Sequence, residues 1–330
     1  MFEGPLRISP NIELMKRITI LLPCYNEEGN LRVLNERLQE IIKMESLKSY
    51  EFDMMFVDDG SSDRTMDVLK EICDERSNSY YISLSRNFGH QNAIKAGIDK
   101  ASSDAVIMMD ADMQHPPELI EEMVQQWEKG FDVVNTVRMD GKNQGWWKRK
   151  FSRLFYRLVN VFSHVRIDAG AADFRLLDRT VVEVLQGWNE QNLFFRGIIP
   201  WLGFRQCKLK YRPEKRHHGD TKYTYRKMMS FALDGVTSFS IKPLRLSIFI
   251  GIFFSFISLL IALYAIYINV FTDRAVPGWT SVMVSTVFLG GLQLLMIGII
   301  GEYLGKLFIE NKKRPNYIIR ETNVGEEEAN

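Results

Sequence analysis

Apolar residues along the first 140 positions alternate between two rhythms. Short, mainly apolar runs at residues 18–22, 52–57, 80–84, 105–109 and 132–137 have strand length. Between them apolar residues recur at helical spacing: Leu31, Leu34, Leu38 and Ile41, then Val68, Leu69 and Ile72, then residues 93–98. Pro116-Pro117 opens a further helix through Leu119, Ile120 and Met123. Strand and helix in strict alternation predict an α/β fold, a mainly parallel sheet with helices on both faces. Beyond residue 240 the pattern changes. Residues 246–272 and 275–301 each form a run of 27 positions without a charged side chain, separated by a break at Asp273-Arg274. As helices they would each reach about 40 Å, against an apolar bilayer core of about 30 Å. They predict a transmembrane hairpin, with spans near 246–270 and 279–301. Lys242 and Arg245 precede it and Lys306, Lys312, Lys313 and Arg314 follow it, whereas its loop carries Arg274 alone, so both ends are expected in the cytoplasm.

Composition changes this picture little. The 330 residues are 46% hydrophobic with a formal net charge of +1, which excludes disorder and gives no global field for nucleic acid. The mean hydropathy of −0.14 averages a polar first part with an apolar last quarter. Cys24, Cys73 and Cys207 are far apart and show no metal or redox spacing, as suits a reducing compartment. Residues 1–16 lack a signal-peptide core and cleavage site, so the polar region is expected to stay cytoplasmic. Between residues 141 and 167 stand seven Lys or Arg and no acid, with Trp146, Trp147, Phe151, Leu154, Phe155, Leu158 and Val159 interleaved at roughly helical spacing. This predicts an interfacial helix at about 146–162 on an anionic lipid surface; a basic helix packed on the sheet with its charges in water is the competing reading. Arg153 and Arg157 on it are candidates for a lipid phosphate. Met228, Met229, Phe231, Ala232, Leu233 and Val236 suggest a second amphipathic helix over 226–243, leaving 1–16 as an extension, 17–225 as the α/β domain and 306–330 as a cytoplasmic tail ending in the acidic run Glu326-Glu327-Glu328.

In parallel α/β sheets ligands bind beyond the carboxyl ends of the strands. Three such ends carry acids: Pro23-Cys24-Tyr25-Asn26-Glu27-Glu28, Asp58-Asp59-Gly60-Ser61-Ser62-Asp63 and Asp110-Ala111-Asp112-Met113-Gln114. No dinucleotide-binding glycine fingerprint and no P-loop occurs, so phosphate would be neutralised otherwise. Asp110 and Asp112 are spaced to share one hard divalent cation that could bridge a diphosphate, although such a pair alone is commonly a turn. Asp58 and Asp59 can equally form a turn before the helix at Thr65, with Ser62 or Asp63 as its cap.

Together with Leu84-Ser85-Arg86-Asn87-Phe88-Gly89 and His115-Pro116-Pro117, these runs resemble the family 2 glycosyltransferases, and among them the polyprenyl-phosphate hexosyltransferases, relatives of dolichol-phosphate mannose synthase and the bactoprenol glucosyltransferases. The resemblance spans residues 18–245, and the hairpin matches the subgroup with two spans. It implies a GT-A fold and an inverting, metal-dependent transfer from a nucleotide sugar, with uridine diphosphate the first expectation, to polyprenyl phosphate at the inner membrane. By position, Pro23, Tyr25, Glu27, Asp58 and Asp59 would hold the base and ribose, with Arg86 on the donor side. Asp110 would contact sugar or ribose, and Asp110, Asp112 and Gln114 would hold Mg²⁺ or Mn²⁺. Asp173-Phe174-Arg175-Leu176-Leu177 resembles the acceptor-side segment; Asp173 would position or weakly deprotonate the acceptor, and Arg175 would meet a phosphate. Read without the resemblance, the same residues are a helix cap and a surface ion pair. Arg216-His217-His218-Gly219-Asp220-Thr221-Lys222-Tyr223 resembles the loop whose Arg216 and Lys222 would close on phosphates, with Thr221 replacing the usual serine.

Two other readings compete. A processive polysaccharide synthase would carry Gln-x-x-Arg-Trp, but Gln191 and Arg196 have the wrong spacing. A membrane-anchored nucleotide-sugar scaffold would not need Asp110, Asp112, Gln114 and Arg216 intact. A homo-oligomer is compatible with the glycines at 290, 291, 298, 301 and 305, which allow close helix approach.

Overall fold

The computed structural model describes residues 15–139, 170–191, 193–212, 242–271 and 278–325. The five expected strands are β1 (Lys16–Cys24), β2 (Tyr50–Asp58), β3 (Ser79–Leu84), β4 (Ala105–Met108) and β5 (Val133–Arg138). The four expected helices are α1 (Leu31–Ile42), α2 (Thr65–Glu75), α3 (His90–Lys100) and α4 (Leu119–Glu128). Then come β6 (Ala171–Asp178), α5 (Arg179–Gln186), α6 (Phe195–Trp201) and β7 (Gln206–Tyr211). Two long helices, α7 (Lys242–Phe271) and α8 (Trp279–Asn311), precede a last strand, β8 (Ile319–Thr322).

The eight strands form one sheet in the order β7-β5-β6-β4-β1-β2-β3-β8. The sheet is mixed: β6 runs antiparallel to both β4 and β5, and β8 runs antiparallel along β3. Alternation along each strand sorts side chains onto two faces. Ile18, Ile20, Met54, Phe56, Ile107, Phe174 and Leu176 face one core with Leu34, Leu38, Leu69 and Met123 of α1, α2 and α4. Leu21, Met55, Val57, Val106, Met108 and Leu177 face the other, under Ala93, Ile94, Val181, Leu185 and Ile198 of α3, α5 and α6. This parity decides which charged groups can meet: Asp59, Asp110, Asp173 and Arg175 all continue the α3 side of their strands.

β6 departs from expectation. The segment holding Asp173 and Arg175 is an interior strand, where a helix cap with a surface ion pair was the competing reading. Its register sets Met108 against Arg175. Two residues further along the same antiparallel register, Asp173 stands level with Asp110.

The loops after β1 and β2 are laced together. Cys24 O accepts from Asp59 N at 2.9 Å, Ser61 Oγ from Asn26 N at 2.9 Å, Asn26 Oδ1 from Ser62 N at 2.9 Å and Thr65 Oγ1 from Glu27 N at 2.8 Å. Asp63 Oδ1 accepts from Thr65 N at 3.0 Å and opens α2. Gly60 adopts φ +68°, and a Cβ there would lie 2.4 Å from the carbonyl carbon of Arg86. Only glycine lets the β2 and β3 loops approach this closely.

The C-terminal region differs from a hairpin followed by a free tail. α8 continues to Asn311, and β8 then returns to pair with β3. Among the described residues one stretch, Phe288–Asn311, is long and apolar enough to cross a membrane, and Ser247–Ile261 in α7 is apolar over a shorter length. The helices touch through Phe254 and Phe288, whose ring centres are 5.4 Å apart. The expected interfacial helix with Arg153 and Arg157, the loop with Arg216 and Lys222, and the acidic terminus lie outside the described residues.

Gly60→Ala should lower stability by about 2–4 kcal/mol, from the positive φ together with the backbone overlap. Thermal unfolding of the purified full chain in detergent checks this; an unchanged melting temperature would mean the two loops can separate without cost.

Candidate active site

A cavity of about 730 Å³ opens at the carboxyl ends of β1, β2 and β4. The β1 loop supplies Pro23, Tyr25 and Glu27, the β2 loop Asp59, and the β4 loop Asp110 and Asp112. The opposite wall is the N-terminus of α3, from Gly89 to Ala93, with Asp173, Gln191, Leu193 and Arg196.

The backbone is bent out of ordinary regions at two of these strand ends. Asn26 has φ +55° and Met113 φ +63°. Both are uncommon for residues with a side chain, and such conformations gather where a loop must present particular groups. At Met113 the bend folds Gln114 back over Asp112, whose Oδ1 accepts from Gln114 N at 3.1 Å and whose Oδ2 accepts from Gln114 Nε2 at 2.9 Å. The other end of that amide, Oε1, accepts from Arg138 Nη1 at 3.1 Å. One neighbour is an acceptor and the other a donor, so the amide can face only one way. Gln114 therefore orients the Asp112 carboxylate here and is not part of the cavity wall, which differs from the ligand role expected for it.

Asp59 and its neighbour divide as parity requires. Asp59 lines the cavity and accepts from Phe88 N at 2.7 Å and Gly89 N at 2.9 Å, pinning the start of α3. Burial pushes its carboxyl up, against the lowering effect of those two amides. Asp58 is buried on the other face, accepting from Ser61 N at 3.1 Å and Ser83 Oγ at 3.3 Å. It holds the turn and is absent from the cavity wall. Arg86, expected on the donor side, stacks on Phe88 with 4.0 Å between guanidinium and ring centre, and is also outside the wall.

The centre of the site is an ion cluster. Asp173, 3% exposed, accepts from Arg196 Nε at 3.0 Å and Nη2 at 2.8 Å, and from Arg175 Nη2 at 3.3 Å. Burial alone would raise its carboxyl, yet Arg196, His90 and Arg175 together hold it well below the usual carboxylate range. A carboxylate so stabilised is a poor base, which favours the positioning half of the expectation that Asp173 would position or weakly deprotonate the acceptor. Arg175, expected to meet a phosphate, is 1% exposed, donates from Nη2 to Ala172 O at 2.7 Å and braces Asp173 from within the sheet. Burial pulls it down to about 10, which leaves it charged at neutral pH.

Two groups here were missed from sequence. His90 Nε2 lies 3.3 Å from Asp110 Oδ1 and 3.7 Å from Asp173 Oδ2. Desolvation would lower it, but Asp110 and Asp173 outweigh that and raise it to about 9. Arg196, on the first turn of α6, closes the cluster. The signal for His90 was its position directly after Gly89 at a helix start facing the acidic edge; Arg196 was weighed only against a motif it does not fit.

The donor set suits a hard divalent ion. Asp110 Oδ1 is buried and receives no hydrogen bond. Asp112 faces the same cavity from the same loop. Among the described residues no third carboxylate, imidazole or thiol completes a metal group, so the remaining coordination positions would fall to a ligand and water.

The family model of glycosyl transferase family 2 matches residues 19–185, covering the strands from β1 to β6 and the acidic edge, and the GtrB C-terminal hairpin matches residues 242–307. The chain belongs to glycosyl transferase family 2. It is 40% identical to the uncharacterized glycosyltransferase YkcC of Bacillus subtilis, over 92% of this chain and 93% of that protein. It is 38% identical to the prophage bactoprenol glucosyl transferase homolog of Escherichia coli, over 92% and 98% of the two chains. Among solved structures it is similar to the mannosyltransferase PcManGT of Pyrobaculum calidifontis, at 15% identity and a TM-score of 0.49, over 72% of this chain and 67% of that one. The chain is thus a family 2 glycosyltransferase with a mixed sheet and a C-terminal hairpin.

Two outcomes follow for the cluster in this glycosyltransferase. In metal-free protein, the raised His90 contributes stability that is fully present below about pH 6.5 and is lost as pH rises through about 9. The melting temperature of wild type should therefore fall more between pH 6.5 and 9.5 than that of His90→Gln; equal slopes would remove His90 from the cluster. A double-mutant cycle of Asp173→Asn and Arg196→Gln, followed by chemical denaturation, should show coupling of about 1–3 kcal/mol, and additive losses would mean the two side chains do not depend on each other.

Proposed function

We propose that this glycosyltransferase moves a hexose from a nucleotide sugar, uridine diphosphate being the expected carrier, to polyprenyl phosphate on the cytoplasmic face of a membrane, with inversion at the anomeric carbon. The observation that carries this reading is one chain joining an acidic strand-end cavity to two long apolar helices. The names of relatives support it: several at about 38% identity over nearly their whole length are bactoprenol glucosyl transferases. In this reading α7 and α8 both cross the bilayer, and the basic segment with Arg153 and Arg157 lies against anionic lipid and the acceptor phosphate.

The chemistry needs no strong base. A lipid monophosphate already carries an anionic oxygen near neutral pH. That oxygen forms the new bond to the anomeric carbon while the carbon–oxygen bond to the diphosphate breaks and its electron pair leaves with the nucleoside diphosphate. Asp173, held ionised by Arg196 and Arg175, serves as the fixed point from which Arg196 and His90 face the cavity. Pro23, Tyr25, Glu27 and Asp59 line the end proposed for base and ribose. Asp110 and Asp112 would hold Mg²⁺ or Mn²⁺, with Gln114 fixing the Asp112 carboxylate. Such an ion supplies charge neutralisation to the departing diphosphate. Arg216 and Lys222 are proposed to add to that neutralisation.

The test is transfer of radiolabel from a panel of nucleotide sugars into the organic phase, using purified protein and undecaprenyl phosphate with and without EDTA. Metal-dependent label in lipid is the expected result, and Asp112→Asn should lower it about 100-fold or more. Sugar-nucleotide binding or hydrolysis across the panel with no lipid product would reject the acceptor.

A further inference from the structure

We propose that residues 314–324 are a strap that positions the acceptor-side wall of the cavity relative to the end of α8; the inference rests on the lipid-acceptor reading above. Sequence reasoning places this segment in a cytoplasmic tail, and its contacts give it a more definite place.

The strap starts where α8 ends. Glu310 Oε2 accepts from Gln191 N at 3.0 Å, Arg314 O accepts from Gln191 Nε2, and Asn316 Nδ2 donates to Glu190 O at 2.9 Å. Gln191 is itself a wall residue, two positions before Leu193 and five before Arg196. The helix end is thus hydrogen-bonded to the rim that leads into the ion cluster.

The next residues reach α3. Tyr317 donates its hydroxyl to Asp99 Oδ2 at 2.8 Å, and Asp99 also pairs with the buried Lys95, whose Nζ donates to Gln186 O at 3.1 Å. The first turn of that helix is the cavity wall with His90. Tyr317, Ile319 and Val324 pack on the same apolar core as α3, α5 and α6. Beyond them β8 completes the sheet: Ile318 O accepts from Ser85 N at 2.9 Å, and Asn323 Oδ1 accepts from Tyr81 N at 2.7 Å. The strap's hydrogen bonds therefore reach the two elements of the acceptor-side wall, α3 and the rim at Glu190 and Gln191, together with the β3 edge.

This pattern of contacts makes the proposal testable. Tyr317→Phe and Asn316→Ala each delete one strap contact without touching a wall side chain. In full-length protein in nanodiscs, each should raise the KM for undecaprenyl phosphate about fivefold to tenfold, the effect of one lost hydrogen bond. kcat and the Kd for the nucleoside diphosphate should stay within about twofold. Hydrogen exchange of residues 187–191 should quicken in the same variants, and this measurement reads the strap even if the acceptor is something else. Lys70→Ala, which removes the exposed pair with Glu321 and a cation–π contact with Tyr81, both remote from the rim and from α3, serves as the comparison and should change neither quantity. Unchanged KM with unchanged exchange at the rim would overturn the proposal. So would an equal loss in donor affinity and acceptor KM, which is the signature of general destabilisation. If wild-type protein gives no lipid product while the rim still loosens in the variants, the acceptor reading fails and the strap stands.

Discussion

A carboxylate 3% exposed in the middle of a sheet cannot stand alone, because an unpaired buried charge costs several kcal/mol. Asp173 imposes that condition on this fold. Arg175 answers from two residues along the same strand, on the same face. Arg196 comes from α6 and His90 from α3, so the two helices that cover this face are also the ones that must supply charge to it. Reversing one strand is what makes the meeting possible. A parallel β6 would run its carboxyl end toward the site and bring Asp178 there; running antiparallel, it brings its amino end, with Asp173 level with Asp110.

The elements up to α4 were legible because each repeats one period over enough residues. β6 was not, since Ala171–Asp178 carries Asp173 and Arg175 at buried positions, where an alternating pattern would have apolar side chains. Only the resemblance marked it, and that marked the residues without their geometry. Asp58 and Asp59 show the opposite case: both were read as site residues, yet Met55 and Val57 on one face and Met54 and Phe56 on the other already determine that Asp59 turns toward α3. β8 had almost no local signal. Its Ile-Arg-Glu-Thr sequence pairs because β3 offers an open edge and because Tyr317 and Val324 bury apolar surface on either side of it.

The charges of the ion cluster and the β4 loop balance before any ligand is considered, and Glu27 and Asp59 add further acid to the wall. Asp110, Asp112 and Asp173 oppose Arg175, Arg196 and a His90 raised to about 9. Six groups of zero net charge provide orientation but little attraction for an anion. A diphosphate entering this cavity must find its counter-charge elsewhere, in a divalent cation on the Asp110–Asp112 side or in basic residues of the segments around 142–166 and 212–226. Those stretches are where the sequence concentrates its lysines and arginines next to the domain. Fixed, mutually neutralised groups also need little reorganisation when charge moves during reaction, which is the condition under which electrostatic stabilisation is effective.

In the proposed reaction, joining a water-soluble donor to a lipid phosphate adds a constraint that soluble transferases do not face: the reacting atoms must meet at a fixed height above the bilayer. One flexible linker into α7 would leave the catalytic domain free to tilt, and that freedom would be lost as entropy each time the lipid is engaged. Here the chain leaves the domain before α7 and returns to it after α8, so the hairpin is joined at two separate points, with β8 inserted in the sheet as the second. A body held at two points can no longer rotate freely about either. β8 also covers the β3 edge that would otherwise invite pairing with another chain. The same four residues therefore serve the soluble domain as an edge guard and the assembly as its second tether, which explains why so short and polar a strand is built into the sheet rather than left in solvent.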